Sequence, residues 1–252
     1  MSATFKQRLS QGEPLIGTFL KTPSPMICEV LARSDLDAVC IDAEHSPFDR
    51  RDIDACLHAL SAAGMTSIVR VPASRAEYIL NALDCGAQAI LAPHISSADD
   101  AAQLVAWTRY HQGRGFAGSS RAAGYMARGM AEHIARSNEA VCVIAQIEDR
   151  AALENCEAIM AVDGIDAFFI GRADLTVSLG LDNPNDPQVI EAVERICRVG
   201  EKLGRRVGMF TGDVDELPKW REAGASLFLL SSDHAMMLSG ASALTSQVRA
   251  HF

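Results

Sequence analysis

Two acidic residues, Glu148 in QIED and Asp174 in IGRAD, each follow a short apolar run closely enough to stand at the end of a buried strand. Carboxylates that converge on one low-dielectric cleft repel each other unless a proton or a cation lies between them. Two such oxygen ligands suit a hard divalent ion, Mg2+ or Mn2+, with water and substrate oxygens filling an octahedron. The competing reading is architectural: Glu148 complements the dipole of the helix that follows, and Asp174 caps the turn at ADLTVSLG. Spacing alone leaves both readings open. His45 lies in DAEHSPFD, just past a run ending in Asp42. It is either a general base working near neutral pH or a loop histidine bonded to backbone. Arg70 ends the apolar run SIVRV, where a buried guanidinium needs an anionic partner. A substrate oxyanion is one candidate, and an ion pair with Asp42 or Glu44 is the other.

Other chemistries are poorly provided for. Only Lys6, Lys21, Lys202 and Lys219 occur, and only Lys21 is near a strand end, so imine catalysis by a desolvated lysine has little to work with. No G-x-S-x-G elbow is present, and the serine pair before Asp233 has only His234 beside it. With 23 basic against 32 acidic residues, a formal charge of −9 and no basic cluster, nucleic acids and anionic membranes are poor partners. The seven cysteines (Cys28, Cys40, Cys56, Cys85, Cys142, Cys156 and Cys197) are odd in number, scattered and never in a C-x-x-C pair. That argues for small core residues in a reducing cytoplasm rather than a disulfide framework or thiolate zinc site. No apolar run is long enough to address the chain to a membrane.

These side chains need a scaffold that brings strand ends together. Short β-rich runs alternate with amphipathic stretches along all 252 residues, with no linker to mark a boundary. The predicted strands are 15–20, 37–42, 67–71, 87–92, 141–147, 166–170, 206–210 and 226–230, with helices between them closed by glycines such as Gly64, Gly86 and Gly204. Parallel strands need crossover helices, and about eight strand–helix units make a single-domain (β/α)8 TIM barrel spanning 1–252. A doubly wound open sheet is the alternative, but no G-x-G-x-x-G follows any strand. In a barrel the site lies where strands end. The polar residues there are Asp42, Glu44 and His45, Arg70, His94, Gln146 and Glu148, Arg172 and Asp174, and Ser231, Ser232 and Asp233.

Together, IDAEHSPFD, VRVP, LDCGAQAILAP, GRGFAGSSRAAGY, VIAQIED and DGIDAFFIGRADLTVSLG, in this order, resemble the metal-dependent class II pyruvate aldolases of the HpcH/HpaI family. The similarity runs through almost the whole chain. It implies a lyase that cleaves 4-hydroxy-2-oxo acids to pyruvate or hydroxypyruvate and an aldehyde. It further implies a divalent cation (Mg2+ or Mn2+, with Co2+ or Zn2+ as alternatives) on Glu148 and Asp174, and His45 as proton acceptor. Arg70 would stabilise the oxyanion, Asp42 would belong to the catalytic group, and Gln146, Ala173 and Asp174 would contact the substrate. Asp84 matches an aspartate that raises the basicity of the histidine. Yet Asp84 closes a helix before a strand, on the barrel face away from the site, and can meet His45 only from a neighbouring subunit. The expectation is therefore a homo-oligomer, a hexamer by resemblance, with sites at subunit interfaces and the C-terminal helix, about 233–252, docked on a partner.

Two departures stand out. Arg172 replaces the family's proline in I-G-P-A-D-L, and the reading preferred here turns it to solvent rather than toward the carboxylate pocket. Met209 and Phe210 at a strand end put the aldehyde pocket in doubt. Two other functions fit less well: a related metal-dependent acyl-coenzyme A lyase, which lacks a basic patch for the phosphates, and a non-catalytic binding barrel.

Overall fold

The computed structural model describes residues 3–252. Eight parallel strands close into a barrel in chain order: β1 (Leu15–Leu20), β2 (Ala38–Asp42), β3 (Thr66–Arg70), β4 (Ala89–Ala92), β5 (Cys142–Ile147), β6 (Ala167–Ile170), β7 (Val207–Thr211) and β8 (Ala225–Ser232). β1 pairs with β8 to complete the ring. This is a (β/α)8 barrel. The predicted strands fall within two residues of these at nearly every end. Asp37 lies outside β2 because its carboxylate accepts the Ile16 N–H and an Arg8 hydrogen bond.

Period-two alternation sorts the strand residues into two cores. Ala38 and Cys40, Ile68, Ala89 and Leu91, Cys142 and Ile144, Ala167 and Phe169, and Leu227 and Leu229 fill the barrel interior with Leu15 and Phe19, and Leu9 of the first helix joins them. Val39, Ile41, Val69, Ile90, Val143, Phe168 and Ile170 face the surrounding helices. Continuing the inward parity to the strand ends puts Asp42, Arg70, Gln146 and Glu148 on the axis side of the C-terminal mouth. The sheet register strengthens this, since Asp42 is directly opposite Arg70. Gly17 makes the close passage of β1 possible, because a Cβ there would meet the Ala38 carbonyl oxygen at 2.8 Å.

All seven cysteines are buried and unpaired, and burial pushes the Cys40 and Cys142 thiols up, away from reactivity. The last helix, Asp233–Arg249, is capped by the Ser232 hydroxyl and leaves Met237, Leu238, Leu244 and Val248 exposed. Among the described residues no helix is long and apolar enough to cross a membrane.

Candidate active site

Asp42 anchors one half of the mouth. Its carboxylate accepts from Arg70 Nε at 2.9 Å and from the backbone N–H of His45 at 3.2 Å, with Arg70 Nη2 at 2.8 Å and Lys21 Nζ at 2.5 Å. Burial alone would raise its pKa, but the two cations outweigh it and hold the group at about 2. The Arg70 guanidinium also lies over the Phe19 ring, 4.5 Å from its centroid. Of the two partners open to Arg70 from sequence, the ion pair is present, and it fixes the guanidinium in one orientation. A carboxyl depressed from an ordinary value of 3.8 favours the folded state above that value and loses this contribution as pH falls through about 2. We expect the loss to be about 2 kcal/mol. Urea unfolding between about pH 5 and pH 2 should show a flatter stability profile in Asp42→Asn than in the parent.

Glu44, His94 and Glu148 form the other half. Each offers a ligand atom, and these atoms all lie within 4.8 Å of one another. Glu148 Oε1 accepts the His94 backbone N–H at 2.8 Å, and its Oε2 accepts from the Gln146 side-chain amide. His94 Nδ1 is 3.2 Å from Glu148 Oε1, and His94 Nε2 is 3.6 Å from Glu44 Oε1. Glu44 Oε2 stands 3.3 Å from Arg70 Nε and 3.6 Å from His45 Nε2, yet it accepts no hydrogen bond. Burial, opposed by Arg70 and reinforced by Glu148, lifts Glu44 to about 7. Burial also raises Glu148, against the His94 contacts and with the charge of Asp174 adding to it. Gly171 makes room for this arrangement, since a Cβ there would meet Glu148 Cβ and Oε2 at 2.6 Å.

A divalent cation fits these donors. Two buried acids whose proton affinity rises together, an acid oxygen left without a hydrogen bond, and an adjacent imidazole are the surroundings that a positive ion relieves. Asp174 is in the first turn of the helix Arg172–Ser178 and is exposed. Its charge reaches Glu148, but it is not among the three groups whose ligand atoms cluster. Gln146 is buried beside Glu148, with its Oε1 free of hydrogen bonds. Ala173 is exposed next to Asp174, and His45 is half exposed at the rim.

Three sequence expectations concern more distant contacts. Arg172 does not turn to solvent: its guanidinium bonds the Pro184 carbonyl, the Asn185 side chain and Glu216, 2.6 Å away, and only 10% of its side chain is exposed. The Glu216 carboxylate and the Trp220 ring, 5.6 Å from the guanidinium carbon, outcompete water for it. Phe210 is 38% exposed and packs on Phe19 at 6.0 Å, giving the mouth an apolar edge. Asp84 ends the helix Ala76–Asp84, ahead of β4, and pairs with Arg114 at 3.6 Å. Within one chain it belongs to the opposite face. Sequence reasoning placed Glu44 and His94 at strand ends but gave neither a role toward the cation, and it did not pair Lys21 with Asp42.

Comparison with known proteins agrees with this layout. The HpcH/HpaI aldolase/citrate lyase family model matches residues 15–239. A hydroxypyruvate/pyruvate aldolase of Paraburkholderia phytofirmans is 37% identical over 97% of this chain and 96% of its own length. A 4-hydroxy-2-oxo-heptane-1,7-dioate aldolase of Salmonella dublin is 33% identical over 98% of this chain and 95% of its own. The crystal structure of an HpcH/HpaI aldolase/citrate lyase family protein from Burkholderia cenocepacia superposes with a TM-score of 0.92 at 38% identity, over 97% of this chain and 98% of that one. The barrel, the acids at its mouth and the extent of these matches lead to one conclusion: this chain belongs to the HpcH/HpaI aldolase/citrate lyase family.

Proposed function

We propose that this chain is a carbon–carbon lyase, a metal-dependent aldolase that reversibly cleaves 4-hydroxy-2-oxo acids to pyruvate or hydroxypyruvate and an aldehyde. The observation that carries the reading is the buried carboxylate of Glu148 beside an arginine, Arg70, held rigidly by Asp42 at the same barrel mouth. The relatives named as hydroxypyruvate/pyruvate and 4-hydroxy-2-oxo-heptane-1,7-dioate aldolases support it.

Glu148 from the wall and Asp174 from the rim would hold the divalent cation, with Mg2+ or Mn2+ first in line as oxygen-seeking ions. When bound, the ion supplies Lewis acidity toward a carbonyl oxygen. The remaining steps fall to the chain's own groups. In the first turn of the helix Arg172–Ser178, the backbone N–H groups of Ala173 and Asp174 have no helical acceptors, and with the Gln146 amide they receive the substrate carboxylate. His45 at the rim takes the proton of the C4 hydroxyl. As the C3–C4 bond breaks, its electron pair passes into the 2-oxo unit, the C4 oxygen becomes the aldehyde carbonyl, and C3 is reprotonated. Arg70 faces the charge that develops on the 2-oxo oxygen and needs no reorganisation, because Asp42 has already oriented it. The Phe19–Phe210 edge provides an apolar wall for the aldehyde.

The working form in this reading is a homo-oligomer with sites at subunit interfaces, in which Asp84 and the exposed apolar residues of the helix Asp233–Arg249 face a neighbouring copy. The chain works as one catalytic domain in the cytoplasm. A lactate-dehydrogenase-coupled assay with a 4-hydroxy-2-oxo acid tests the activity. Pyruvate release is expected, abolished by exhaustive chelation and restored by Mg2+ or Mn2+; release at an undiminished rate after chelation overturns the reading.

A further inference from the structure

We propose that Arg172 is a specificity-determining positioning residue: it clamps the turn that follows β7 and thereby fixes the apolar wall that the aldehyde meets. The inference rests on the aldolase reading above and deepens it by naming what selects among aldehydes. Arg172 opens the helix Arg172–Ser178, where a cation opposes the helix dipole, so its place is owed to partners outside that helix. Two other segments supply them. Nε donates to the Pro184 carbonyl at 2.8 Å, and Nη2 donates to the Asn185 side chain. Nη1 and Nη2 donate to the two carboxylate oxygens of Glu216, at 2.6 and 3.3 Å. The indole N–H of Trp220, a buried residue, donates to the same carboxylate at 3.4 Å. A two-pronged arginine–carboxylate pair fixes orientation as well as distance.

Glu216 ends the 3-10 turn Val214–Glu216, none of whose residues is buried, so apolar packing of the turn itself does not hold it. Polar contacts do, one at each end. At the far end is the Arg172 clamp. At the near end the Thr211 hydroxyl donates to the Asp213 carbonyl at 2.9 Å and accepts the Asp213 N–H at 3.3 Å. Phe210 directly precedes Thr211 and packs on Phe19 at 6.0 Å, and the Phe19 ring in turn lies 4.5 Å from the Arg70 guanidinium carbon. The clamp therefore reaches the mouth through Phe210, on the side assigned above to the aldehyde. A merely stabilising ion pair would shift the melting temperature and leave the choice among aldehydes alone.

The test uses the full-length protein with Mn2+ and pyruvate, below the melting transition of every variant. It reads kcat/KM for condensation with acetaldehyde and with hexanal, beside deuterium exchange into the pyruvate methyl followed by proton NMR. The variants are Arg172→Pro, since proline suits a first helical position, Glu216→Ala, the two combined, Arg172→Lys and Phe210→Ala. The inference predicts that the hexanal-to-acetaldehyde ratio falls about tenfold in each of the first two, because the longer chain loses its wall. The double variant falls no further, since both changes break one contact. Arg172→Lys recovers part of the ratio, Phe210→Ala lowers it, and exchange in Arg172→Pro and Glu216→Ala stays within about twofold of the parent. If Arg172→Pro does not fold, Glu216→Ala carries the test alone. An unchanged ratio in either folded single variant overturns the inference and leaves the aldolase reading intact. So does exchange that falls in step with condensation, which would place the effect at the pyruvate end. A parent that neither exchanges nor condenses pyruvate removes the aldolase reading and this inference together.

Discussion

Arg70→Ala will lower the rate of pyruvate release by about 10²–10³-fold, because it removes a fixed donor aimed at the developing charge. The same change strips Asp42, fully buried, of the partner that supplies two of its contacts. Leaving one member of a buried ion pair alone costs about 3–5 kcal/mol, so the variant should also unfold at lower urea concentration. Lys21 still reaches the carboxylate and retains part of that loss. Arg70→Lys separates the two effects: the charge is kept, but the two-pronged geometry is lost, so stability should recover more than turnover does. Steady-state kinetics beside urea melts check both numbers. Turnover that stays within a few-fold of the parent in Arg70→Ala would reduce Arg70 to a structural role.

Glu148→Ala should be more severe for chemistry and milder for folding. Glu148 is buried, and burial raises its pKa, so the side chain is costly to keep charged without a cation. Removing it should relieve that cost while eliminating cation binding and with it several kcal/mol of transition-state stabilisation, a rate loss of about 10³-fold or more. The expected pair of results is a melting temperature equal to or above that of the metal-free parent, together with loss of the calorimetric signal for Mn2+. A variant that keeps its Mn2+ affinity would show that the ion sits elsewhere.

The barrel was legible because its interior obeys a two-residue period that the sequence displays openly. AVCID and CVIAQI are buried throughout and TSIVR from Ser67 on, and continuing their parity identifies Asp42, Arg70, Gln146 and Glu148 as inward residues. The partners were less legible, because they depend on features that periodicity does not encode. His94 enters the cluster through a left-handed turn after β4. Lys21 meets Asp42 because it follows directly on β1, whose neighbour β2 ends in Asp42. Arg172 was expected in water, but Glu216, 44 residues away in sequence, folds over it from the loop after β7. Asp84 is a different case: one chain puts it on the far face with Arg114, so any role beside His45 belongs to an assembly and not to the barrel alone. Period and parity assign a side chain to a face; which charged neighbour it meets there is decided by loops, whose conformations rest on single residues.

The most direct test of a cation held at this mouth for a 2-oxo acid is crystallographic, with Mn2+ and pyruvate added to crystals and the data collected for anomalous scattering. The account predicts an anomalous peak within bonding distance of the Glu148 carboxylate, with the pyruvate oxygens on its open side and the Arg70 guanidinium facing the keto oxygen. Pyruvate seated at the mouth with no anomalous peak beside Glu148, in a protein shown to be active, would contradict it.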